Sequence, residues 1–393
     1  MSAALPGVAL KRAVSRRKSI IMVIAKVWQL VRRPEGEPTV EDFLCVEEEL
    51  PACSEGDSLL ILEPDAPDWF SSSVSEIGSS LTVSNADDFT HVLVEAVALS
   101  IDPYMRYKAR QIPLNTPMFG SQVAKVVESK NPELPVGTHL VHYEGWRTYT
   151  VLTSQHLKDK EHFGVMCLPE MGDLPKSLGI GILGMPGNTA YFGFLDICKP
   201  KAGDVVLVNG AAGAVGSAVV QIAKLKGCRV IAFAGSDEKV AWVKELGADH
   251  AFNYKTMNIG EALSKVAPKG VNIYFDNVGG KFTAQALPHM ADYGVVSLCG
   301  AISTYNEEVD IGVPSLRSPF NEGTVIWKQL HIEGFLVFRW KARWMEGLKQ
   351  LREWIEQGKL KYKETVFQGF EKMPSAFIGL FHGENTGKTV VVP

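Results

Sequence analysis

The run NGAAGAVGS, Asn209 to Ser217, constrains the fold more than any other segment because of what lies on either side of it. The apolar stretch Asp204 to Val208 predicts a strand before it, and Ser217 to Lys226 predicts a helix after it. A second predicted strand, Arg229 to Ala234, follows that helix. Strand, turn, helix and strand within about thirty residues form the crossover of a parallel sheet. The run is therefore interpreted as a phosphate-binding turn rather than a chance cluster of glycines.

Three glycines of this run, Gly210, Gly213 and Gly216, would let the backbone approach a pyrophosphate, whose charge the N–H groups of the following helix would hold. A nucleotide triphosphatase loop needs Lys and then Ser or Thr after its last glycine, and here Ser217 and Ala218 follow. That interpretation fails, which leaves a dinucleotide site or a purely structural turn.

The end of the second strand favours NADP over NAD. NAD enzymes of this fold usually carry Asp or Glu there to bind the ribose hydroxyls, whereas this chain has Ala234, Gly235 and Ser236. Lys239 follows one turn into the next predicted helix, where its ammonium group could pair with the extra phosphate of NADP. The alternative is that Lys239 only solvates a helix face beside Glu238.

Composition sets broad limits on the class of protein. A chain of 393 residues with 46% hydrophobic and 21% charged residues is typical of a globular protein with two domains. The net charge of −4 gives no general attraction to nucleic acid or to acidic membranes. The six cysteines have no CxxC spacing, which is typical of free thiols in a reducing compartment such as the cytoplasm.

The amino-terminal segment is basic. Lysine and arginine occur repeatedly between Met1 and Arg33, and the first acidic residue is Glu35. This composition fits an organelle transit peptide, which would make the protein mitochondrial, or a disordered extension before a start at Met22. The apolar run Ile20 to Val31 contains Lys26 and is too short to span a bilayer.

The remaining chain divides by pattern. Short β-type stretches at Val92 to Leu99, Gln122 to Glu128 and His139 to Val151 predict a β-rich domain. Strands and helices alternate from about Gly181, and Gly270 to Asp276 and Gly294 to Cys299 are predicted strands of the same parallel sheet. Helices are predicted over Trp344 to Gln357 and Met373 to Phe381, and a last strand over Thr389 to Val392.

Several motifs resemble one family closely, from Met22 to Pro393. They are LSIDPYMR from Leu99, QVAKVVES from Gln122, GMPGNTAYFG from Gly184, NGAAGAVGS, GSDEK from Gly235, FNYKT from Phe252, FDNVGG from Phe275, CGAISTYN from Cys299 and the terminal GKTVV. In this combination the chain resembles the zinc-independent medium-chain dehydrogenases/reductases, in the prostaglandin reductase, leukotriene 12-hydroxydehydrogenase and NADP-dependent alkenal double-bond reductase group.

The resemblance implies an α/β fold with a Rossmann doubly wound parallel sheet and a GroES-like β-rich catalytic domain. The expected segments are a basic extension (1–21), the catalytic domain (22–180), the Rossmann NADP-binding domain (181–345) and a C-terminal segment that returns to the catalytic domain (346–393). The implied activity is NADPH-dependent reduction of the carbon–carbon double bond of α,β-unsaturated aldehydes and ketones, including oxidised lipid mediators. The expected assembly is a homodimer.

The resemblance also implies site residues. Residues Gly213, Ala214, Val215 and Gly216 would cradle the pyrophosphate, Lys239 and Tyr254 would hold the adenosine phosphate end, and Tyr104 would face the substrate. The rest of the cofactor cleft would be lined by Asn277, Cys299, Gly300, Ala301, Ile302, Ser303, Thr304, Tyr305, Phe335, Leu336, Val337 and Asn385. From the residues alone, Asn277 could equally be a turn former, and Tyr104 an aromatic residue packed beside Pro103.

Three features depart from the family pattern. The basic leader is absent from the family. The serine-rich stretch Glu63 to Phe89 is either an insertion or an error in the coding sequence, and an insertion there would be a surface loop or a functional lid. Trp327 stands where many mammalian members have a tyrosine, so a catalytic hydroxyl is absent at that place.

The residues also bear on metal use and on catalysis. Zinc-using relatives carry a GHE motif, whereas this chain has Gly120, Ser121 and Gln122, and no convincing set of three zinc ligands is present. Metal-free hydride transfer to an enone is therefore expected. Tyr305 is the candidate proton donor, since a phenol with a pKa of about 10 is protonated at neutral pH; alternatively it only walls the nicotinamide pocket.

Two rival functions remain from the sequence. A quinone oxidoreductase of the same superfamily would share the glycine turn and lack zinc, although the DPYMR and CGAISTYN motifs argue against it. A non-catalytic NADPH-binding protein would keep the turn and lose turnover. Retention of Tyr104, Asn277 and Tyr305 argues against that alternative.

Overall fold

The computed structural model describes residues 22–50, 91–158, 164–307 and 320–393. The predicted basic extension (1–21) and the predicted insertion (about 63–89) lie outside the described residues. No helix within the described part of the chain is long and apolar enough to cross a membrane.

The amino-terminal part is rich in strands. Its elements are β1 (Val23–Leu30), β2 (Phe43–Leu50), β3 (Val92–Ile101), α1 (Met105–Lys108), β4 (Thr116–Pro117), β5 (Gln122–Ser129), β6 (His139–His142), β7 (Tyr149–Leu152), α2 (Ser154–Lys158) and β8 (Met166–Cys167). The predicted stretch from His139 to Val151 is thus two strands, and the chain turns between them at Gly145, whose φ is 86°.

The middle part alternates helices and strands. Its elements are α3 (Met185–Phe192), β9 (Val205–Val208), α4 (Ala214–Leu225), β10 (Arg229–Ala234), α5 (Asp237–Glu245), β11 (His250–Asn253), α6 (Ile259–Val266), β12 (Val271–Asp276), α7 (Gly280–Ala286), β13 (Met290–Leu298), α8 (Glu322–Lys328) and β14 (His331–Gly334). The strands β9 and β12 are apolar and almost wholly buried, which is typical of a parallel sheet covered by helices on both faces.

The carboxyl-terminal part contains α9 (Trp344–Glu356), β15 (Glu364–Gln368), α10 (Met373–His382) and β16 (Lys388–Val392). The two helices and the last strand predicted from the sequence are therefore observed, with bounds that differ by one residue. Leu348 and Leu351 of α9 are buried on one face of the helix, as the apolar spacing predicted.

The middle part forms a six-stranded parallel sheet in the order β11-β10-β9-β12-β13-β14. Numbered along the chain within this sheet, the order is 3-2-1-4-5-6, that of a Rossmann fold. The order reverses between β9 and β12. Ligands of such sheets bind in the crevice outside the carboxyl ends of the strands at this switch point.

The carboxyl-terminal strands lie in a different sheet from the Rossmann strands. The seven-stranded sheet has the order β15-β16-β3-β5-β6-β8, with β7 also paired to β3. The strand β16 runs antiparallel to β3, with Val390 opposite Ser100. The chain thus returns to the β-rich sheet after crossing the Rossmann sheet. The boundaries of the predicted segments stay predictions.

The glycine turn differs from expectation at its end. The helix predicted from Ser217 begins three residues earlier, at Ala214, with Gly213 as its N-cap. Gly216 lies in the first turn of the helix, where a Cβ atom would come within 2.4 Å of the Gly210 carbonyl oxygen. Because only hydrogen fits there, helix and strand pack closely, and the first helical N–H groups lie directly at the carboxyl end of β9.

Candidate active site

Two turns meet at the switch point of the Rossmann sheet. The first follows β9 and begins at Asn209; the second follows β12 and begins at Asn277. The Asn277 backbone N–H donates to the Asn209 side-chain oxygen at 2.6 Å, and the Asn277 amide donates to the Asn209 carbonyl oxygen at 2.9 Å. The sequence-predicted cofactor residue Asn277 is thus held directly against the glycine turn.

A buried carboxylate that the sequence analysis did not single out organises both turns. Asp276 is 1% exposed and accepts from the Asn209 amide at 2.7 Å and from the Thr283 hydroxyl at 2.5 Å. It also accepts from the backbone N–H groups of Val278 and Gly279, at 3.0 and 2.8 Å. The sequence did contain a signal for this role, because Asp276 ends an otherwise apolar strand and a buried carboxylate requires hydrogen-bond partners.

The glycine turn is covered by the chain that enters β16. The Gly387 N–H donates to the Ala212 carbonyl oxygen at 2.7 Å, and Gly387 forms a bridge with Gly213. The predicted site residue Asn385 lies beside it, since its amide donates to the Gly387 carbonyl oxygen at 2.8 Å. Asn385 therefore lies at the edge of the turn formed by Gly213 to Gly216.

The ends of β10 and β11 bring Lys239 and Tyr254 to one place. Ser236 is the N-cap of α5 and accepts from the Lys239 backbone N–H at 3.3 Å. The Tyr254 hydroxyl lies over the turn, 3.1 Å from where a Cβ of Gly235 would be. Burial and then the charge of Lys255 lower the pKa of Lys239, and the Lys239 ammonium group donates to the Gly383 carbonyl oxygen at 2.6 Å.

Two carboxylates at the start of α5 already have hydrogen-bond partners. Asp237 accepts from the Asn253 amide at 2.9 Å, and Glu238 has a pKa lowered by hydrogen bonds to backbone and to Ser236 at the start of α5. The region thus presents the Lys239 ammonium group and the Tyr254 phenol, while Asp237 and Glu238 are already hydrogen-bonded. This is an arrangement suited to a phosphate group.

The segment Cys299–Tyr305 packs over the turn that follows β12. The N–H groups of Cys299 and Gly300 donate to the Asp276 carbonyl oxygen, at 2.9 and 3.1 Å. The Ser303 N–H and hydroxyl both donate to the Val278 carbonyl oxygen. Burial raises the pKa of the Cys299 thiol to about 12, so this thiol is neutral.

Tyr305 makes a hydrogen bond within the segment Cys299–Tyr305. Its hydroxyl oxygen accepts from the Ala301 N–H at 3.2 Å. Burial raises the pKa of the phenol above its ordinary value, and the Ala301 hydrogen bond opposes this only in part. The group is therefore protonated at neutral pH and keeps its own hydrogen for donation.

Two arginines that the sequence analysis did not assign connect this segment to the turn that carries Tyr104. The Arg106 Nε donates to the Asn306 side-chain oxygen at 3.1 Å, and an Arg110 guanidinium N–H donates to the Tyr305 carbonyl oxygen at 3.0 Å. Burial, with the charge of Arg110 next, lowers the pKa of Arg106 to about 10, which leaves it charged at neutral pH.

Tyr104 lies among aromatic side chains. Its ring is 6.1 Å from that of Phe119, which is 6.2 Å from Tyr143. Burial raises the pKa of Tyr104 well above its ordinary value, with Asp102 and Tyr143 adding to the effect. Tyr104 is therefore a neutral phenol that can hydrogen-bond a ligand.

An apolar cavity of about 230 Å³ continues from this aromatic group. It lies between the β-rich sheet and helices α3 and α9. Its lining includes Ser121, Tyr143, Met166, Met185, Trp344 and Leu348. Methionine side chains adapt to differently shaped apolar ligands.

The residues Phe335 to Val337 diverge in orientation. The Phe335 ring packs inside, against Trp340 and Phe275, which leaves its backbone as the part that could face a cofactor. Leu336 is 73% exposed, whereas Val337 is buried with Trp344 and Leu348 beside the cavity. Trp327, on α8, is 86% exposed.

The place of the GHE motif is occupied by hydrogen-bonded, non-ligating groups. The Gln122 amide donates to the Gly145 carbonyl oxygen at 3.1 Å, and Ser121 and Gln122 are both buried. Within residues 22–50, 91–158, 164–307 and 320–393, no three His, Cys, Asp or Glu side chains come together as a metal site would require.

Fold and site together define a class. A Rossmann sheet with a glycine turn at its switch point, joined to a β-rich sheet that carries a tyrosine turn and an apolar cavity, is the architecture of a pyridine-nucleotide-type oxidoreductase.

Comparison with known proteins identifies the family. A protein-family model described as zinc-binding dehydrogenase matches residues 214–353, and a family model described as N-terminal domain of oxidoreductase matches residues 80–159. Prostaglandin reductase 1 of Bos taurus is 44% identical over 377 residues, 94% of this chain and 99% of that protein. An NADP(+)-dependent 2-alkenal reductase of Nicotiana tabacum is 41% identical over 311 residues, 77% of this chain and 87% of that protein.

A solved structure agrees. The crystal structure of CurA from Vibrio vulnificus in complex with NADPH superimposes with a TM-score of 0.76 and 34% identity, covering 93% of this chain and 98% of that one. The chain belongs to the medium-chain dehydrogenase/reductase family, in the group of prostaglandin reductases and NADP-dependent alkenal double-bond reductases.

Proposed function

We propose that this protein catalyses the NADPH-dependent reduction of the carbon–carbon double bond of α,β-unsaturated aldehydes and ketones, including 15-oxo-prostaglandin-type lipids. The names of the similar proteins support the reaction class. The observation that carries the proposal is the contact between the Cys299–Tyr305 segment and the Tyr104 turn through Arg106 and Arg110. In this proposal the segment Cys299–Tyr305 borders the cofactor and the Tyr104 turn borders the substrate, so the contact holds the two binding regions together.

The residues present fit a bound NADPH. The N–H groups at the start of α4 and the close packing at Gly216 suit a pyrophosphate, and Lys239 with Tyr254 suits the adenosine phosphate. Asn277, Asn385 and the segment Cys299–Tyr305 would line the remaining cleft. When bound there, the cofactor supplies the hydride that the reaction requires.

The chain's own residues have three tasks in this reaction. Tyr104 and the apolar cavity orient the substrate and exclude water. Polar groups of the cleft accommodate the charge that develops on the carbonyl oxygen. Tyr305, protonated at neutral pH, holds the proton that it donates toward the α-carbon.

Replacing Tyr305 by phenylalanine tests the last task. Removing the phenolic hydrogen should lower kcat about a hundredfold, the lower part of the range for general acids, with NADPH affinity unchanged. Because the pKa of Tyr305 is raised, wild-type kcat should be flat between about pH 6 and pH 9. A kcat that survives the substitution would make Tyr305 only a wall of the pocket. Tyr293→Phe, at a tyrosine of β13 that is 70% exposed, is the control for losing a phenol elsewhere.

Replacing Lys239 by alanine tests the choice of NADP over NAD. Loss of one charge-assisted contact should weaken NADPH binding about ten- to a hundredfold and leave NADH binding unchanged. Lys244→Ala, on the exposed face of the same helix, is the matched control. Titration of the binding of both cofactors gives the measurement, and an unchanged NADPH affinity in Lys239→Ala would contradict the phosphate site.

The apolar cavity supports long-chain enones and alkenals as substrates. Its volume of about 230 Å³ and its methionine and tryptophan lining suit an alkyl chain rather than a second polar ligand.

We also propose that no zinc takes part, since buried, hydrogen-bonded Ser121 and Gln122 occupy the GHE place. Activity that resists a chelator would support this.

The product distinguishes the proposal from other hydride transfers. Incubation with NADPH and a long-chain alkenal should give the saturated aldehyde, with two hydrogens gained and the carbonyl retained. An allylic alcohol would show carbonyl reduction and would contradict the proposal. Reduction of a quinone alone would favour the quinone oxidoreductase alternative.

A homodimer is also proposed. The strand β14 is the edge of the Rossmann sheet within the described residues, and an unpaired edge is suited to pairing with a second copy. Ile326, Trp327 and Leu336, near this edge in sequence, are each more than two-thirds exposed apolar residues. A monomer by light scattering would contradict this.

The cytoplasmic rather than mitochondrial location of the protein stays a prediction.

A further inference from the structure

A buried ion pair joins the last strand to the turn that carries Tyr104. The Lys388 ammonium nitrogen lies 3.1 Å from one Asp102 carboxylate oxygen, and the two side chains are only 4% and 7% exposed. Lys388 also donates to the carbonyl oxygens of Ile101 and Thr389, at 2.5 and 2.9 Å. The Ser100 hydroxyl donates to the other Asp102 oxygen. Both charges therefore have partners away from water.

Such a pair is an unusual choice for stability alone. The cost of removing two charges from water often equals or exceeds their attraction, and well-packed apolar residues can replace buried pairs without loss. Burial also raises the pKa of Glu364, and this effect is opposed by a hydrogen bond from Ser177 and then by the charge of Lys388. The ion pair therefore defines the position of β16 relative to the Tyr104 turn more clearly than it adds to the free energy of unfolding.

The pair lies between two functional parts. On one side, Gly387 directly precedes Lys388 and is hydrogen-bonded to Ala212 in the glycine turn. On the other side, Asp102 begins the turn of Tyr104, and its carbonyl oxygen accepts from the Met105 N–H at 3.1 Å. The charge of Asp102 also contributes to the raised pKa values of Tyr104 and Tyr143. One continuous path of contacts therefore runs from the pyrophosphate turn to the substrate side.

We propose that the Lys388–Asp102 ion pair is a positioning device that couples the glycine turn to the Tyr104 turn, so that a cofactor at Gly213–Gly216 orders the substrate side of the cleft. This inference rests on the proposed function for the identity of the cofactor. Lys388 and Asp102 are positioning residues, since they act through Tyr104 and are not proposed to touch the reacting atoms.

The test uses the full chain with both charges removed together, Lys388→Met with Asp102→Asn. A single substitution would leave Asp102 or Lys388 as a buried charge without its partner and would report unfolding as well, whereas the double variant removes both charges of the pair. Hydrogen exchange is measured with and without NADP⁺ over two regions, residues 210–217 and residues 102–109. In the wild type, NADP⁺ should slow exchange in both, and by about fivefold at 102–109, the lower end of typical coupling between sites.

In the double variant, protection at 210–217 should persist and protection at 102–109 should disappear. The KM for an enone should rise with little change in the NADPH dissociation constant. Protection at 102–109 that persists in the double variant, or that is absent from the wild type, would overturn the coupling. No protection at 210–217 in the wild type would instead overturn the cofactor site itself, so the two failures are distinguishable.

Two further variants secure the comparison. Lys361→Met with Glu245→Gln removes an exposed ion pair (2.9 Å) between the C-terminal part and α5, and it should leave both regions as in the wild type. If the methionine variant does not fold, Lys388→Gln with Asp102→Asn replaces it, since the amides can keep part of the hydrogen bonding.

Discussion

Replacing Gly216 by valine is expected to remove measurable NADPH binding and with it all turnover. A Cβ at this position would lie 2.4 Å from the Gly210 carbonyl oxygen and 2.8 Å from the Ala211 Cα, both backbone atoms that cannot rotate away. The turn must therefore move, which shifts the N–H groups that would face the pyrophosphate. Overpacking of this kind also lowers the free energy of unfolding by about 1–3 kcal/mol.

The measurement is NADPH titration followed by thermal unfolding of the apo-protein. Gly334→Val, at the end of β14, is the matched control: no heavy atom lies within 4 Å of its added Cβ, and valine is favoured in strands. That control should bind NADPH like the wild type. Tight NADPH binding by a folded Gly216→Val protein would show that the cofactor does not use this turn.

Replacing Asp276 by alanine is expected to have the second-largest effect, on stability and on cofactor binding together. Four donors would lose their shared acceptor, among them the Asn209 amide and two backbone N–H groups. Since each buried donor left without a partner costs about 1–3 kcal/mol, a loss of at least about 3 kcal/mol is expected. The two turns at the switch point would no longer be held together, so NADPH affinity should fall more than about tenfold.

A second aspartate separates the two effects. Asp249 accepts from the Val230 N–H at 2.7 Å and pairs with Lys224, next to the start of β11 and away from the cleft. Asp249→Ala should therefore lower stability while NADPH affinity remains that of the wild type. Equal NADPH affinities in the Asp276→Ala and Asp249→Ala variants, measured well below their unfolding temperatures, would contradict the organising role of Asp276.

The Rossmann half was readable from the sequence because its signals are local. The apolar run, the glycine turn and the helix beyond it lie within one continuous stretch, and β10 is observed with the predicted bounds, Arg229–Ala234. The start of α4 was placed three residues late. Glycine is a poor helix former, so its low helix propensity argued against a helical Gly216. In the structure Gly216 is helical because only a glycine can pack this closely against Gly210.

The parts of the site that were not predicted depend on contacts between distant residues. Arg106 and Asn306 are separated by 200 positions, and Lys388 and Ile101 by 287. No periodicity or turn pattern reports such pairs, because they form only once distant segments of the chain have packed against one another. Tyr143 was missed for the same reason, since its place beside Phe119 depends on the packing of separate segments.

The most direct test of the central claim is the loss of NADPH absorbance with a panel of four compounds: a 15-oxo-prostaglandin, a long-chain alkenal, a simple enone and a quinone. Each is repeated with NADH and with a chelator. The proposed function predicts chelator-resistant oxidation of NADPH, in preference to NADH, by the three α,β-unsaturated carbonyl compounds. Activity with the quinone alone, or tight NADPH binding with no turnover of any compound, would contradict it.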